Sequence, residues 1–291
     1  PLTVDIGRQR ALSREQVAGL ESLQIDAAGI AIRSLASLAK INELDHLGGG
    51  LELIPSLLLS LAVSDYERVE YTIEHAHTSV GYYAVLAALG FVDEEIVVEG
   101  FRRGLDIPGH VSWLPGGTQL NGGRLGVMIS VAVGQALGKR AKFGKGSWVV
   151  CHCGDAGYIS GQGLNGFNGA AVHGAPITFV MHRNGIQLSG TTEGIMDKDP
   201  RGIVAAMGVE VLEIETLHDT AGLYKVYREA YKLAQAGKAT MIYPTGTRER
   251  LGDFGARLGI EAEVEAFAGG HGVKLGTRVW VPGSLMSYRD V

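Results

Sequence analysis

Ser147-Trp148-Val149-Val150-Cys151-His152-Cys153-Gly154, running into Asp155, and Pro176-Ile177-Thr178-Phe179-Val180-Met181-His182-Arg183, running into Asn184, decide how this chain is read. Each run is apolar and of strand length, so each predicts a buried strand. The Gly/Ala-rich stretch between them, 161–173, is long enough for a crossover helix, which makes the two strands parallel. Asp155 and Asn184 then stand side by side at carboxyl ends, the edge of an open α/β sheet where ligands bind. Neighbouring strands lie about 4.8 Å apart, close enough for a carboxylate and an amide oxygen to share one ion. With one loop carbonyl they fill half an octahedron and leave places for phosphate oxygens and water, the usual arrangement for Mg²⁺.

Outward from this pair the pattern continues to alternate. Strands are expected at 68–73, 209–214 and 239–243, and helices at 13–40, 51–63, 79–89, 127–139 and 220–237. Ser13 with Glu15 close behind suits a capped first turn, and Pro55 is tolerated in the first turns of its helix. The fold class is therefore α/β, a largely parallel sheet with helices on both faces, occupying 1–245. The segment 246–291 is Gly/Arg-rich with little periodicity and is expected to pack on this domain or on a neighbour.

Three loops frame the sheet edge. Asp45-His46-Leu47-Gly48-Gly49-Gly50 reads as a loop before a helix, its glycines serving either close approach to a ligand or a flexible connection. Glu74-His75-Ala76-His77-Thr78 places His77 on a strand-to-helix turn. The stretch 109–126 carries six glycines and Pro115, and an ordered loop of that length is often functional. A polar loop, 189–201, follows Asn184.

Bulk properties exclude several classes. A formal charge of −5, a pI near 6.0 and the lack of a dense Lys/Arg stripe argue against a nucleic-acid partner. The longest apolar stretch, 51–63, is interrupted by Glu52, Pro55 and two serines and is too short to span a bilayer. Cys151 and Cys153 alternate with His152, so their thiols share one face of a strand where a bridge would be strained, and they read as core thiols. Two cysteines make no disulfide scaffold, and without a basic-then-apolar start the expected location is cytoplasmic.

Gly161-Gln162-Gly163-Leu164-Asn165-Gly166 satisfies G-x-G-x-x-G, yet seven residues separate Gly161 from Cys153, and the next strand ends in His182-Arg183-Asn184 rather than in an acid. A dinucleotide fingerprint needs its first glycine directly after the strand and an acid about 20 residues on. These glycines suit close helix packing instead.

Gly154-Asp155-Ala156 with Asn184-Gly185-Ile186-Gln187-Leu188-Ser189-Gly190 resembles the Gly-Asp-Gly to Asn-Gly cofactor signature of transketolases. Three further segments are similar in the same order: 44–50 to the Ser-Gly-His-Pro-Gly segment, 76–79 to Gly-His-Gly-Ser, and 122–126 to the Gly-Pro-Leu-Gly loop. Pro108-Gly109-His110 is similar to a Gly-His-Pro turn of the same family. Over 25–243 the chain thus resembles the amino-terminal, diphosphate-binding half of these enzymes, and the resemblance implies the thiamine diphosphate-binding fold and that cofactor. It implies that Asp155, Asn184 and the Ile186 carbonyl hold Mg²⁺ or Ca²⁺, that Gly154 and Ala156 offer amides to the diphosphate, and that Gly123 and Leu125 touch the aminopyrimidine. His46, His77 and His110 become candidates for substrate binding and proton transfer, with His271 in Gly269-Gly270-His271-Gly272 as a later one. His75, His152, His173, His182 and His218 take a structural reading.

The departures shape the expectation. Ala156 replaces a glycine, which is tolerable if its φ is negative. Ser160 stands where the family usually carries a glutamate that couples the two cofactors of a dimer. Transketolases also carry a pyrimidine-binding domain whose glutamate activates the cofactor ring, and 291 residues leave no room for it. The resemblance implies a split enzyme, inactive alone, whose separate pyrimidine-binding subunit completes a heterotetramer that moves a two-carbon ketol unit between sugars or sugar phosphates. A chain starting at Pro1 also fits a piece of a longer polypeptide. Decarboxylation or dehydrogenation of 2-oxo acids, carboligation on the same scaffold, and a non-catalytic subunit remain the alternatives.

Overall fold

The computed structural model describes residues 3–41, 43, 47–75, 77–104, 106–183, 186–187, 190–194, 196 and 199–246, together with 259, 262, 265, 279–280 and 287–288. Two helices open the chain: α1 (Arg14–Ala39) and α2 (Gly48–Val63). Then come β1 (Val69–Ile73), α3 (Ser79–Ala88), α4 (Glu94–Gly100), α5 (Val127–Phe143), β2 (Trp148–Gly154), α6 (Asp155–Tyr158), α7 (Gly161–Val172) and β3 (Ile177–His182). A short hairpin of β4 (Ile186–Gln187) and β5 (Gly190–Thr191) leads to α8 (Arg201–Ala206), β6 (Glu210–Ile214), α9 (Thr220–Gln235) and β7 (Thr240–Pro244).

The five long strands form one parallel sheet in the order β1-β2-β3-β7-β6. β1, β2 and β3 are buried along their whole length, as a sheet covered on both faces requires. Side chains of β2 alternate between the two sides: Val150 joins the core under α1, α2, α3 and α9, whereas Val149, Cys151 and Cys153 join the core under α5 and α7. Among the described residues β6 is one edge strand and β1 the other, and Glu210 and Glu213 on β6 are exposed. The two cysteines are buried free thiols 3.6 Å apart, as core thiols on one face should be.

Local chemistry sets the boundaries. Ser13 accepts the amide of Gln16 at 3.1 Å while the Gln16 side chain accepts the amide of Ser13 at 2.9 Å, a reciprocal cap in which Gln16 rather than Glu15 is the partner. Asp93 caps α4 through the amide of Glu95, and α4 and α8 are helices that hydrophobic periodicity alone does not reveal. The glycine triplet is a correction: Gly48, Gly49 and Gly50 form the first turn of α2, not a loop. Gly50 serves helix packing: a Cβ there would stand 2.6 Å from Val80 Cγ1, and a Cβ at Gly81 in α3 would stand 2.1 Å from the Gly50 carbonyl. In the G-x-G-x-x-G stretch, Gly163 and Gly166 likewise let α7 lie against α5, where a Cβ at Gly166 would meet Ile129 at 2.8 Å. Among the described residues no helix is long and apolar enough to cross a membrane. The 246–291 segment falls almost wholly outside the described residues; within it β8 (Val279–Trp280) pairs with β9 (Ser287–Tyr288).

Candidate active site

β1, β2 and β3 end at the same edge, and the residues that follow them converge there. Asp155 directly follows β2, opens the short helix α6 and is 5% exposed. Its Oδ2 accepts, at 2.8 Å, the hydroxyl of Thr192, the residue that directly follows β5. β4 packs against α6, so the backbone of Ile186 belongs to the segment beside Asp155. Asn184 lies outside the described residues, as do His46 and His271. Ala156 sits within α6 and is absent from the left-handed region, so its methyl is accommodated by a helical backbone.

The 109–126 loop is tethered by α3. The hydroxyls of Ser79 and Tyr83 donate to the carbonyls of Gly109 at 2.9 Å and His110 at 2.6 Å, and Tyr82 donates to the carbonyl of Ser112 at 3.0 Å. Burial pushes the Tyr83 phenol up to about 12, so it remains a donor at neutral pH. His77, half-buried before α3, and the exposed His110 are brought together, their rings 6.1 Å apart at 45°. Gly123, with φ +102°, donates its amide to the carbonyl of Glu74 at 3.0 Å, while Leu125 is 36% exposed at the rim.

Glu74 is the residue that sequence reasoning missed. Completely buried after β1, its carboxylate accepts the amide of Gly126 at 2.5 Å and that of Gly154 at 3.3 Å. Burial raises its pKa to about 7 against the opposing pull of those two amides. A glutamate after a strand is ordinarily a solvated turn residue, and nothing local distinguishes this one.

Behind the edge lies a buried imidazole cluster. His152 Nδ1 and His182 Nε2 are 3.1 Å apart; Ser60 lies 3.0 Å from His152 Nε2 and 3.1 Å from the Tyr227 hydroxyl. His75 stacks on His182 at 5.2 Å, with neither ring nitrogen hydrogen-bonded among the described residues. Burial holds all three imidazoles below the usual range, His152 at about 3, so the cluster is neutral. This agrees with the structural reading of these histidines.

The donor set fits a hard cation only in part from side chains. Among the described residues no group of three His, Cys, Asp or Glu side chains is arranged to hold a metal ion. What the described residues offer there is one buried carboxylate, held by a hydroxyl, on a helix in contact with β4.

No family model matches the chain. Two curated relatives are each one subunit of an apulose-4-phosphate transketolase. That of Actinobacillus succinogenes is 30% identical over 152 residues, covering 51% of this chain and 55% of the relative. That of Phocaeicola vulgatus is 29% identical over 155 residues, covering 51% and 53%. The chain spans about half the length of these curated relatives. Among solved structures, transketolase from Pichia stipitis in complex with sedoheptulose-7-phosphate superposes with a TM-score of 0.66 at 19% identity, over 87% of this chain and 45% of that one. Transketolases from Leishmania mexicana and Campylobacter jejuni superpose with TM-scores of 0.63 and 0.65, both at 22% identity, over 85% and 87% of this chain and 45% and 43% of theirs. These likenesses show the fold: the chain folds like the portion of a transketolase that it overlays.

Proposed function

We propose that this chain, which resembles one subunit of split transketolases in sequence and part of a transketolase in fold, is the diphosphate-binding subunit of a transketolase-like transferase. The observation that carries the reading is the meeting, at one sheet edge, of a hydroxyl-held carboxylate at Asp155, a glycine loop at 122–126 and the His77–His110 pair. Asp155, with Asn184 and the Ile186 carbonyl, would hold Mg²⁺ or Ca²⁺. Gly154 and Ala156 would face the diphosphate, and Gly123 and Leu125 the aminopyrimidine. Thiamine diphosphate, when bound, supplies the carbanion chemistry by which the bond beside a ketose carbonyl is broken and remade.

The chain's own part is orientation and proton handling. His77 and His110, their rings 6.1 Å apart, are spaced to hold neighbouring hydroxyls of a sugar or sugar phosphate and exchange protons with them near neutral pH. His46 and His271 are candidates for the same role. A separate pyrimidine-binding subunit would close the site and complete a heterotetramer in the cytoplasm, with no part for nucleic acid or membrane.

Calorimetric titration of thiamine diphosphate with Mg²⁺, on the chain alone and mixed with its partner subunit, tests this. Binding that tightens with the partner and vanishes in Asp155→Ala is expected. No binding in either preparation would leave a fold without this chemistry, and turnover of pyruvate but of no ketose would replace the transketolase reading with 2-oxo acid chemistry.

A further inference from the structure

Glu74 uses every polar atom it has on the segments that form the site. Its amide donates to the His152 carbonyl on β2 at 2.8 Å, its carbonyl accepts from Gly123, and its two carboxylate oxygens accept from Gly126 and Gly154. Among the described residues no cation pairs with it. A carboxyl buried without a cation costs free energy that an apolar side chain of similar size would not, so packing does not account for its presence.

Its position is also specific. A Cβ at Gly157 would stand 1.8 Å from Glu74 Oε1, and a Cβ at Gly126 would stand 1.8 Å from Ser160 Oγ. Ser160 Oγ in turn donates to the Gly157 carbonyl at 2.7 Å. The Glu74 carboxyl and the Ser160 side chain therefore flank the same two glycines, Gly126 and Gly157, from different segments of the chain.

We propose that Glu74 is a positioning residue of the cofactor site, its carboxyl at the end of β1 clamping the 122–126 loop against the Gly154–Asp155 turn, a place that a carboxyl at position 160, beside the same two glycines, could also take. The inference rests on the thiamine diphosphate reading above. Cys153, a buried thiol on β2, is the titratable group that senses this carboxyl, and only burial and the two amides shift Glu74 itself.

A carboxyl swap tests the proposal. Thiamine diphosphate with Mg²⁺ is titrated by calorimetry into the full chain together with its partner subunit, as wild type, E74Q, S160E and the double variant, with a thermal melt of each. E74Q should bind about tenfold more weakly, because a glutamine presents its NH₂ to one of the two amide donors. S160E alone should also weaken binding, since two carboxyls then crowd one space. The double variant should return to within about threefold of wild type, whereas a purely structural Glu74 predicts additive losses, S160E also removing the side-chain cap of α7. Wild-type affinity in E74Q, or a double variant no better than E74Q, would overturn the proposal. If E74Q does not fold, the double variant decides alone: folding with binding supports the swap and failure overturns it. Absence of binding in the wild type would overturn the cofactor reading and this inference with it, and is seen before any substitution is made.

Discussion

Thr192 donates its hydroxyl to Oδ2 of Asp155 at 2.8 Å, so a residue that comes after β3 aims the carboxylate that ends β2. An orienting hydroxyl fixes the carboxylate without neutralising it, which is what a ligand to a cation needs from its surroundings.

Replacing that hydroxyl with a methyl in Thr192→Val should therefore loosen Asp155 without emptying the space. A hydrogen bond to a charged group is worth about 1.5–3 kcal/mol, so Mg²⁺-dependent binding of thiamine diphosphate should weaken at least tenfold. Calorimetry at several Mg²⁺ concentrations measures it, and unchanged affinity would show that Asp155 is oriented by other means.

Gly157 has no room for a side chain because Glu74 fills it. Gly157→Ala, with its methyl driven into the Glu74 carboxyl, should cost about 2 kcal/mol in urea unfolding, within the range for overpacked sites. In a Glu74→Ala background the same substitution should cost less. Additive costs in that double-mutant cycle would mean that the two residues do not compete for one space.

Stability should fall in mild acid. His75, His152 and His182 are neutral in the folded protein and take up protons on unfolding, so their contribution is complete above about pH 6.5 and is lost as pH falls below it. Glu74 acts in the other direction: its folded pKa is raised, so its contribution is complete below about pH 4.5 and is lost as pH rises to about 7. Near pH 5.5 these four groups leave the unfolded chain holding about two more protons, which gives a slope of about 3 kcal/mol per pH unit. Urea titrations at pH 7 and 5.5 measure it; a flat profile would mean that the imidazoles are charged in the folded state.

His110→Ala should separate binding from turnover. The residue is exposed and held by its carbonyl to Tyr83, so its ring can be removed without unseating the loop. In the reconstituted complex, kcat with a ketose donor should drop about a hundredfold, with cofactor affinity preserved, as loss of a proton-transfer group predicts. Equal activity would remove His110 from the chemistry.

What could be read from the residues follows their physical signals. Parallel strands are apolar runs when both faces are covered, so β1, β2, β3, β6 and β7 were readable, and with them the place of Asp155 at the end of β2. The loops that carry His77 and His110 were readable too, although their closeness in space is seen only in the fold. Glu74 and Thr192 were not readable, because a polar residue beside a strand looks the same whether water or a buried amide is its partner. The glycines at 48–50 misled for a related reason: close helix contact and close ligand contact both ask for a missing side chain, and only Gly81 across the interface tells them apart. The cap at Asp93 is a signal that the sequence carries, an Asp two residues before the amide it accepts.

The strand order has a consequence for how the chain assembles. Among the described residues β6 pairs only with β7, which lies between it and β3, so β6 is made before the strand that joins it to the sheet. During synthesis β1, β2 and β3 can pair as they emerge, while β6 and α9 must wait until residue 244 is out of the ribosome and β7 slots between them and β3. Nascent chains stopped short of 240 should therefore expose an unpaired strand and an uncovered sheet face, the form of this protein most prone to bind chaperones or aggregate.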